Sequence, residues 1–127
     1  MTRKLLIVDD SKLARMSVAK ALKALYPDWV RVEAANADEA LALSRDDAFD
    51  IALLDFNMPG RDGLDLAGDL RKAHPTMPVA IISANHQTEI VARATAIGAT
   101  FLPKPLTEQA LSDFLKASLN QIEASNR

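Results

Sequence analysis

Five side chains of phosphate-handling type stand at or just beyond the ends of short apolar runs in this 127-residue sequence. Asp9 and Asp10 follow the run at 5–8. Asp55 follows the run at 51–54, in "IALLDFNMPGRDG". Ser83 follows 79–82, and Lys104 comes two residues after 100–102. Each has an ordinary reading by itself. Asp9 and Asp10 could cap a helix, Ser83 could be a satisfied strand-end hydroxyl, and Lys104 a solvated loop lysine. Their chemistry emerges only if the fold gathers them. Three carboxylates brought together cannot all stay ionised cheaply, because two like charges at ~4 Å repel by about 4 kcal/mol at an effective dielectric of 20. Raised pKa values or a bound cation relieve this. A hard divalent ion with oxygen ligands suits such a cluster, and Mg²⁺ leaves room for a phosphate oxygen. With an ammonium and a hydroxyl opposite, the set reads as a phosphate site.

The elements that must position these groups alternate along the chain. Apolar or β-branched runs at 5–8, 30–34, 51–54, 79–82 and 100–102 predict five strands. Between them lie faces of helical period: Ala14, Val18, Ala21, Leu22 and Leu25; Leu66, Ala67, Leu70 and Ala73; Ile90, Val91, Ala94 and Ile97; and Leu111, Phe114, Leu115, Ser118, Leu119 and Ile122. A short second helix is expected over 37–43, where Asn36 and Glu39 have capping-box spacing. Thr107 is expected to cap the last helix, Asp62 the third, and Gly98 to close the fourth. Pro59 and Gly60 turn the chain away from Asp55, and Gly63 lets the next helix start close to it. The pairs Asp46-Asp47 and Arg71-Lys72 read as solvated helix ends. Met16, Met58 and Met77 read as packing, and His74 and His86 as surface or structural residues.

Strand–helix alternation at this spacing predicts an α/β fold: a five-stranded parallel sheet covered by helices on both faces. Right-handed crossovers favour the doubly wound, flavodoxin-like (βα)5 arrangement with strand order 2-1-3-4-5. Ligands bind such a sheet outside the carboxyl ends of its strands, near the point where strand order reverses. That is where the five residues fall. One domain over 1–127 is expected, with ordinary apolar (49%) and charged (25%) content. Net charge is −2 with no basic run, so no nucleic-acid partner is expected. There is no cysteine for disulfides or thiolate metal ligation. No apolar run reaches the ~18 residues of a membrane helix, and the N-terminal run is short for a signal peptide, so a cytoplasmic location with no membrane partner is expected.

Together, "IVDDS" (7–11), "LLDFNMPGRDG" (53–63), "IISA" (81–84) and "LPKP" (102–105) resemble the receiver domain of two-component response regulators, most closely the single-domain CheY-like type. The resemblance spans about residues 3 to 122. It implies that Asp55 is the phosphoacceptor, that Asp9, Asp10, Asp55 and the backbone carbonyl of Asn57 hold Mg²⁺, and that Ser83 and Lys104 bind the phosphoryl group. It places Phe101 at the aromatic switch position, and a Lys104–Pro105 bond that is often cis. It implies a sensor histidine kinase or phosphotransfer protein as donor and a downstream target protein as receiver of the signal. The chain is then a monomer or a phosphorylation-dependent dimer, and no enzyme beyond its own Mg²⁺-dependent phosphorylation and dephosphorylation. Two details depart within the family's range: Ser rather than Thr at 83, and Phe rather than Tyr at 101. Asn57 and Asn85 fall where the family tunes dephosphorylation. A haloacid-dehalogenase-type phosphohydrolase would need an acid at position 57, and a flavodoxin a Ser/Thr-rich loop where Asp9-Asp10-Ser11 stand.

Overall fold

The computed structural model describes residues 2–85 and 87–125. Five strands and five helices alternate: β1 (Lys4–Val8), α1 (Lys12–Leu25), β2 (Val30–Ala34), α2 (Ala37–Asp46), β3 (Ile51–Asp55), α3 (Gly63–Ala73), β4 (Val79–Ser83), α4 (Thr88–Ala96), β5 (Thr100–Pro103) and α5 (Glu108–Ser125). The strands form one parallel sheet in the order β2-β1-β3-β4-β5, as expected. β1 and β3 are neighbours, in register Leu5↔Ile51 to Val8↔Leu54.

The two-residue strand period divides the core cleanly. Leu6, Val8, Leu54 and Ile81 point to one face, where Ala37 and Ala40 of α2, Leu66 and Leu70 of α3, and Ile90 and Ala94 of α4 cover them. Leu5, Ile7, Leu53 and Ile82 point to the other, under Leu22 of α1 and Leu111, Phe114 and Leu115 of α5. β3 and β4 are buried along their whole length. This explains their uninterrupted apolar sequences: a strand covered on both faces has no polar side to show.

The helix ends use the expected chemistry. The side chains of Asn36 and Asp62 accept from the N–H groups of Glu39 and Asp65, and Thr107 Oγ1 accepts from Ala110 N–H; α1 is capped by Ser11, which accepts from Ala14 N–H, and not by Asp9 or Asp10. Gly98 follows α4 at φ +77°, a conformation open to glycine at little cost. Two side chains, Arg71 and Met16, depart from expectation. Arg71 is no solvated helix end: its guanidinium donates to the carbonyls of Met77 (2.9 Å) and Ile97 (3.2 Å), tying α3 to the segments before β4 and after α4. Asp47 is an exposed helix end as expected, and it pairs with Lys4. Met16 is exposed on α1 rather than packed, whereas Met77 is buried and Met58 packs against the core. α2 runs three residues past 43, through Ser44, Arg45 and Asp46. His74 caps the end of α3; His86 lies outside the described residues.

Candidate functional site

β3 delivers Asp55 to the carboxyl edge of the sheet as a paired strand residue, opposite Ile82. The chain is then locked in place. Phe56 N–H donates to Ile82 O (2.9 Å), and Gly63 N–H returns to Phe56 O (3.0 Å). Gly60, at φ +81°, makes the turn between them. A Cβ at Gly63 would lie 2.4 Å from the Asp55 carbonyl oxygen, so only glycine lets α3 begin this close behind the acid. Asp55 is 4% exposed.

β1 ends one strand away. Asp9 N–H donates to Ala34 O (3.1 Å), and Asp9 Oδ1 accepts from Ser11 N–H (2.9 Å). Asp9 is buried and Asp10 exposed. One carboxylate oxygen from each of Asp9, Asp10 and Asp55 lies within 4.8 Å of the others. On the far side, Lys104 Nζ sits 2.7 Å from Asp55 Oδ1. Apart from that ion pair, Asp55 Oδ1 has no hydrogen-bond partner among the described residues. Lys104 is held by its own backbone, its N–H donating to Ser83 O (2.9 Å), and its bond to Pro105 is cis. Ser83 closes β4, is 1% exposed, and its Oγ accepts from Asn85 N–H (3.0 Å). Its hydroxyl proton can still be donated elsewhere.

Burial raises the Asp55 pKa; Lys104 pulls it back and Asp10 adds to the rise. Asp9 is also raised, again first by burial, against the Ser11 N–H bond and with help from the Asp55 charge. Burial works against the charge of Lys104, but the Asp55 pair, with Asp9 and Asp10 beyond it, outweighs this and lifts its pKa. The cluster thus holds more negative charge than it can comfortably carry. Its donors are all oxygen, the ligand set of a hard cation such as Mg²⁺.

All five residues singled out by spacing come to this one edge. Asn57 is exposed, and with Asp10, Phe56 and Met58 it lines a shallow depression at the lip. Asp9 and Lys104 also line a groove running between α1 and the start of α5, floored by Val18, Ile82 and Leu111. Phe101 stands apart from the acids. It pairs with Ile81 on β5 and packs, half-buried, on the core face that α3 and α4 cover, while its neighbour Leu102 points to the other face. Arg15 was not foreseen: it bonds the backbone of Asp9, a contact no sequence pattern marks.

Comparison with known proteins places the chain in company. The profile of the family described as "Response regulator receiver domain" matches residues 5–116. The glycerol metabolism activator of Pseudomonas putida is 36% identical over 119 residues, which cover 92% of this chain and 54% of that protein. The positive alginate biosynthesis regulatory protein of Pseudomonas aeruginosa is 38% identical over 115 residues, covering 87% and 45%. The chain thus spans about half the length of these curated relatives. Among solved structures, the chemotaxis protein CheY4 of Vibrio cholerae aligns with a TM-score of 0.84 at 28% identity, over 93% of this chain and 99% of that one. A CheY-like receiver domain protein of Methanospirillum hungatei aligns at 0.90 and 25% identity, over 98% and 99%.

Proposed function

The chain belongs to the response regulator receiver domain family, and from that premise we propose that Asp55 is its phosphoacceptor, loaded from the phosphohistidine of a sensor kinase or phosphotransfer protein. Phosphorylation on aspartate is typical of the family. The observation that carries the assignment is the surroundings of Asp55: a buried strand-end carboxylate, 2.7 Å from an ammonium and sharing a 4.8 Å cluster with two further acids.

An Asp55 oxygen attacks phosphorus from the side opposite the imidazole. The P–N bond breaks, its electron pair leaves on the imidazole, which takes up a proton, and an acyl phosphate remains on Asp55. Such transfers pass through a loose, in-line transition state, so positioning and charge neutralisation supply most of the rate. Lys104 offsets charge on the phosphoryl oxygens. Ser83 donates its hydroxyl proton to one of them. Asp9, Asp10 and the carbonyl of Asn57 would hold Mg²⁺ beside Asp55; when bound, the ion neutralises further phosphoryl charge. The same groups assist hydrolysis of the acyl phosphate, the chain's only catalysis in this reading.

The output is a biased conformation. A phosphoryl group on Asp55 draws Ser83 toward it, and Phe101 turns into the space released, reshaping the face of α4, β5 and α5. Moving an equilibrium from 1:99 to 99:1 needs about 5.5 kcal/mol of differential binding. Two to four hydrogen bonds to charged groups, at ~1.5–3 kcal/mol each, supply it. The signal then passes to a target protein that binds this face, in the cytoplasm and without nucleic acid or membrane. Mg²⁺-dependent uptake from a small acyl-phosphate donor tests the reading: wild type should load stoichiometrically and Asp55→Asn should not. Stoichiometric labelling of Asp55→Asn would falsify the assignment.

A further inference from the structure

Asp10 is the exposed member of the acid cluster, and no side-chain hydrogen bond holds its carboxylate among the described residues. The position from which it projects is therefore set by backbone, through the peptide plane that joins it to Asp9. The carbonyl of that plane is gripped. Arg15 of α1 donates from Nη1 to Asp9 O (2.5 Å), and from Nε to Glu33 Oε1 (3.0 Å) on β2. The Arg15 side chain is only 15% exposed, and its guanidinium spans from a paired strand to the acid loop. Arg15 bonds no carboxylate of the cluster. We propose that Arg15, steadied by Glu33, is a positioning residue that fixes the Asp9–Asp10 peptide plane and so keeps the Asp10 carboxylate within reach of the cation that Asp9 and Asp55 share.

This inference rests on the Mg²⁺ site proposed above. The planar fork of arginine suits the task, since it makes two bonds in fixed directions where lysine offers one mobile ammonium. Outer groups that orient metal ligands typically matter 10- to 100-fold in metal affinity. The sign of the effect separates positioning from charge. Removing a cation near an acid cluster should by electrostatics alone tighten Mg²⁺ binding, whereas loss of positioning weakens it.

Calorimetric titration of the whole chain with Mg²⁺ tests the proposal, with folding of each variant checked by circular dichroism. Arg15→Met, which keeps the apolar stem, should bind roughly tenfold more weakly, and Arg15→Lys should recover part of the loss. Glu33→Ala should weaken binding several-fold, a change that loss of its charge also favours, so the pair is read from the double variant: adding Glu33→Ala to Arg15→Met should cost little more, because the two act as one unit. Asp10→Asn is the control and should bind far more weakly than wild type. If Asp10→Asn loses affinity while Arg15→Met or Glu33→Ala binds as wild type or tighter, the positioning role is overturned and the metal site stands. If Asp10→Asn also keeps wild-type affinity, the metal assignment fails and the role of Arg15 falls with it.

Discussion

Substituting Gly63 tests whether the proposed phosphoacceptor edge depends on close approach of α3. An alanine Cβ there would sit 2.4 Å from the Asp55 carbonyl oxygen, 3.0 Å from its carbonyl carbon and 3.1 Å from Phe56 Cα. All three are backbone atoms, so no side-chain rotation relieves the clash. To go from 2.4 Å to the 3.0 Å below which real contacts do not occur, helix and strand end must part by at least 0.6 Å. The Gly63 N–H bond to Phe56 O stretches with it. Overpacking of this kind costs about 1–3 kcal/mol. At roughly 4 °C per kcal/mol for a chain of this size, Gly63→Ala should melt about 4–12 °C below wild type. Catalytic groups must be held within ~0.5 Å, so phosphate uptake should also slow by about tenfold or more. Gly68 supplies the opposite case: it lies within α3, and a Cβ there meets nothing within 4 Å. Gly68→Ala should stabilise by up to ~1 kcal/mol through helix propensity and leave uptake unchanged. Thermal denaturation with uptake from a small acyl phosphate reads both. A Gly63→Ala protein as stable and as reactive as wild type would refute the reasoning.

The raised carboxyls predict a pH dependence. Asp9 and Asp55 bind protons more tightly folded than unfolded, so they penalise stability above their folded pKa values. Lowering the pH through those values toward the unfolded value of 3.8 should relieve that penalty and stabilise the metal-free protein. Urea midpoints should show the gain in wild type and a smaller one in Asp55→Asn, and identical profiles would contradict it. Ser83→Ala should still take up phosphate, more slowly, but lose about 1.5–3 kcal/mol of bias, a ten- to hundredfold change in the active fraction's equilibrium constant. NMR of the Phe101 ring with beryllofluoride bound would report this, and an unchanged ring response would break the Ser83–Phe101 link. Arg71→Ala gives up two carbonyl partners and should cost about 2 kcal/mol, with amide exchange at the end of α4 rising first; uniform exchange along α4 would argue against it.

The site was legible in sequence because each of its residues interrupts a pattern. An acid, a serine or a lysine beside an uninterrupted apolar run is conspicuous, and the 2-1-3-4-5 order brings those run ends together. β3 and β4 nevertheless extend one residue further than hydrophobicity suggests, because Asp55 and Ser83, polar as they are, keep strand pairing. The end of α2 was missed for a related reason: Ser44, Arg45 and Asp46 are polar, so the apolar period stops before the helix does. Arg71 and Arg15 were opaque because both donate to backbone carbonyls brought near by folding, and carbonyls carry no residue identity. Met16 on α1 misled in the other direction, since an apolar type at a helical position need not face the sheet.

Reductive trapping of the phosphorylated chain tests the central claim most directly. Borohydride converts an aspartyl phosphate to homoserine, and peptide mass spectrometry then locates it. After incubation with a small acyl-phosphate donor and Mg²⁺, homoserine should appear at position 55 and nowhere else, and chelation of the metal should suppress it. Homoserine at position 9 or 10, or full conversion of Asp55 with the metal removed, would contradict the account.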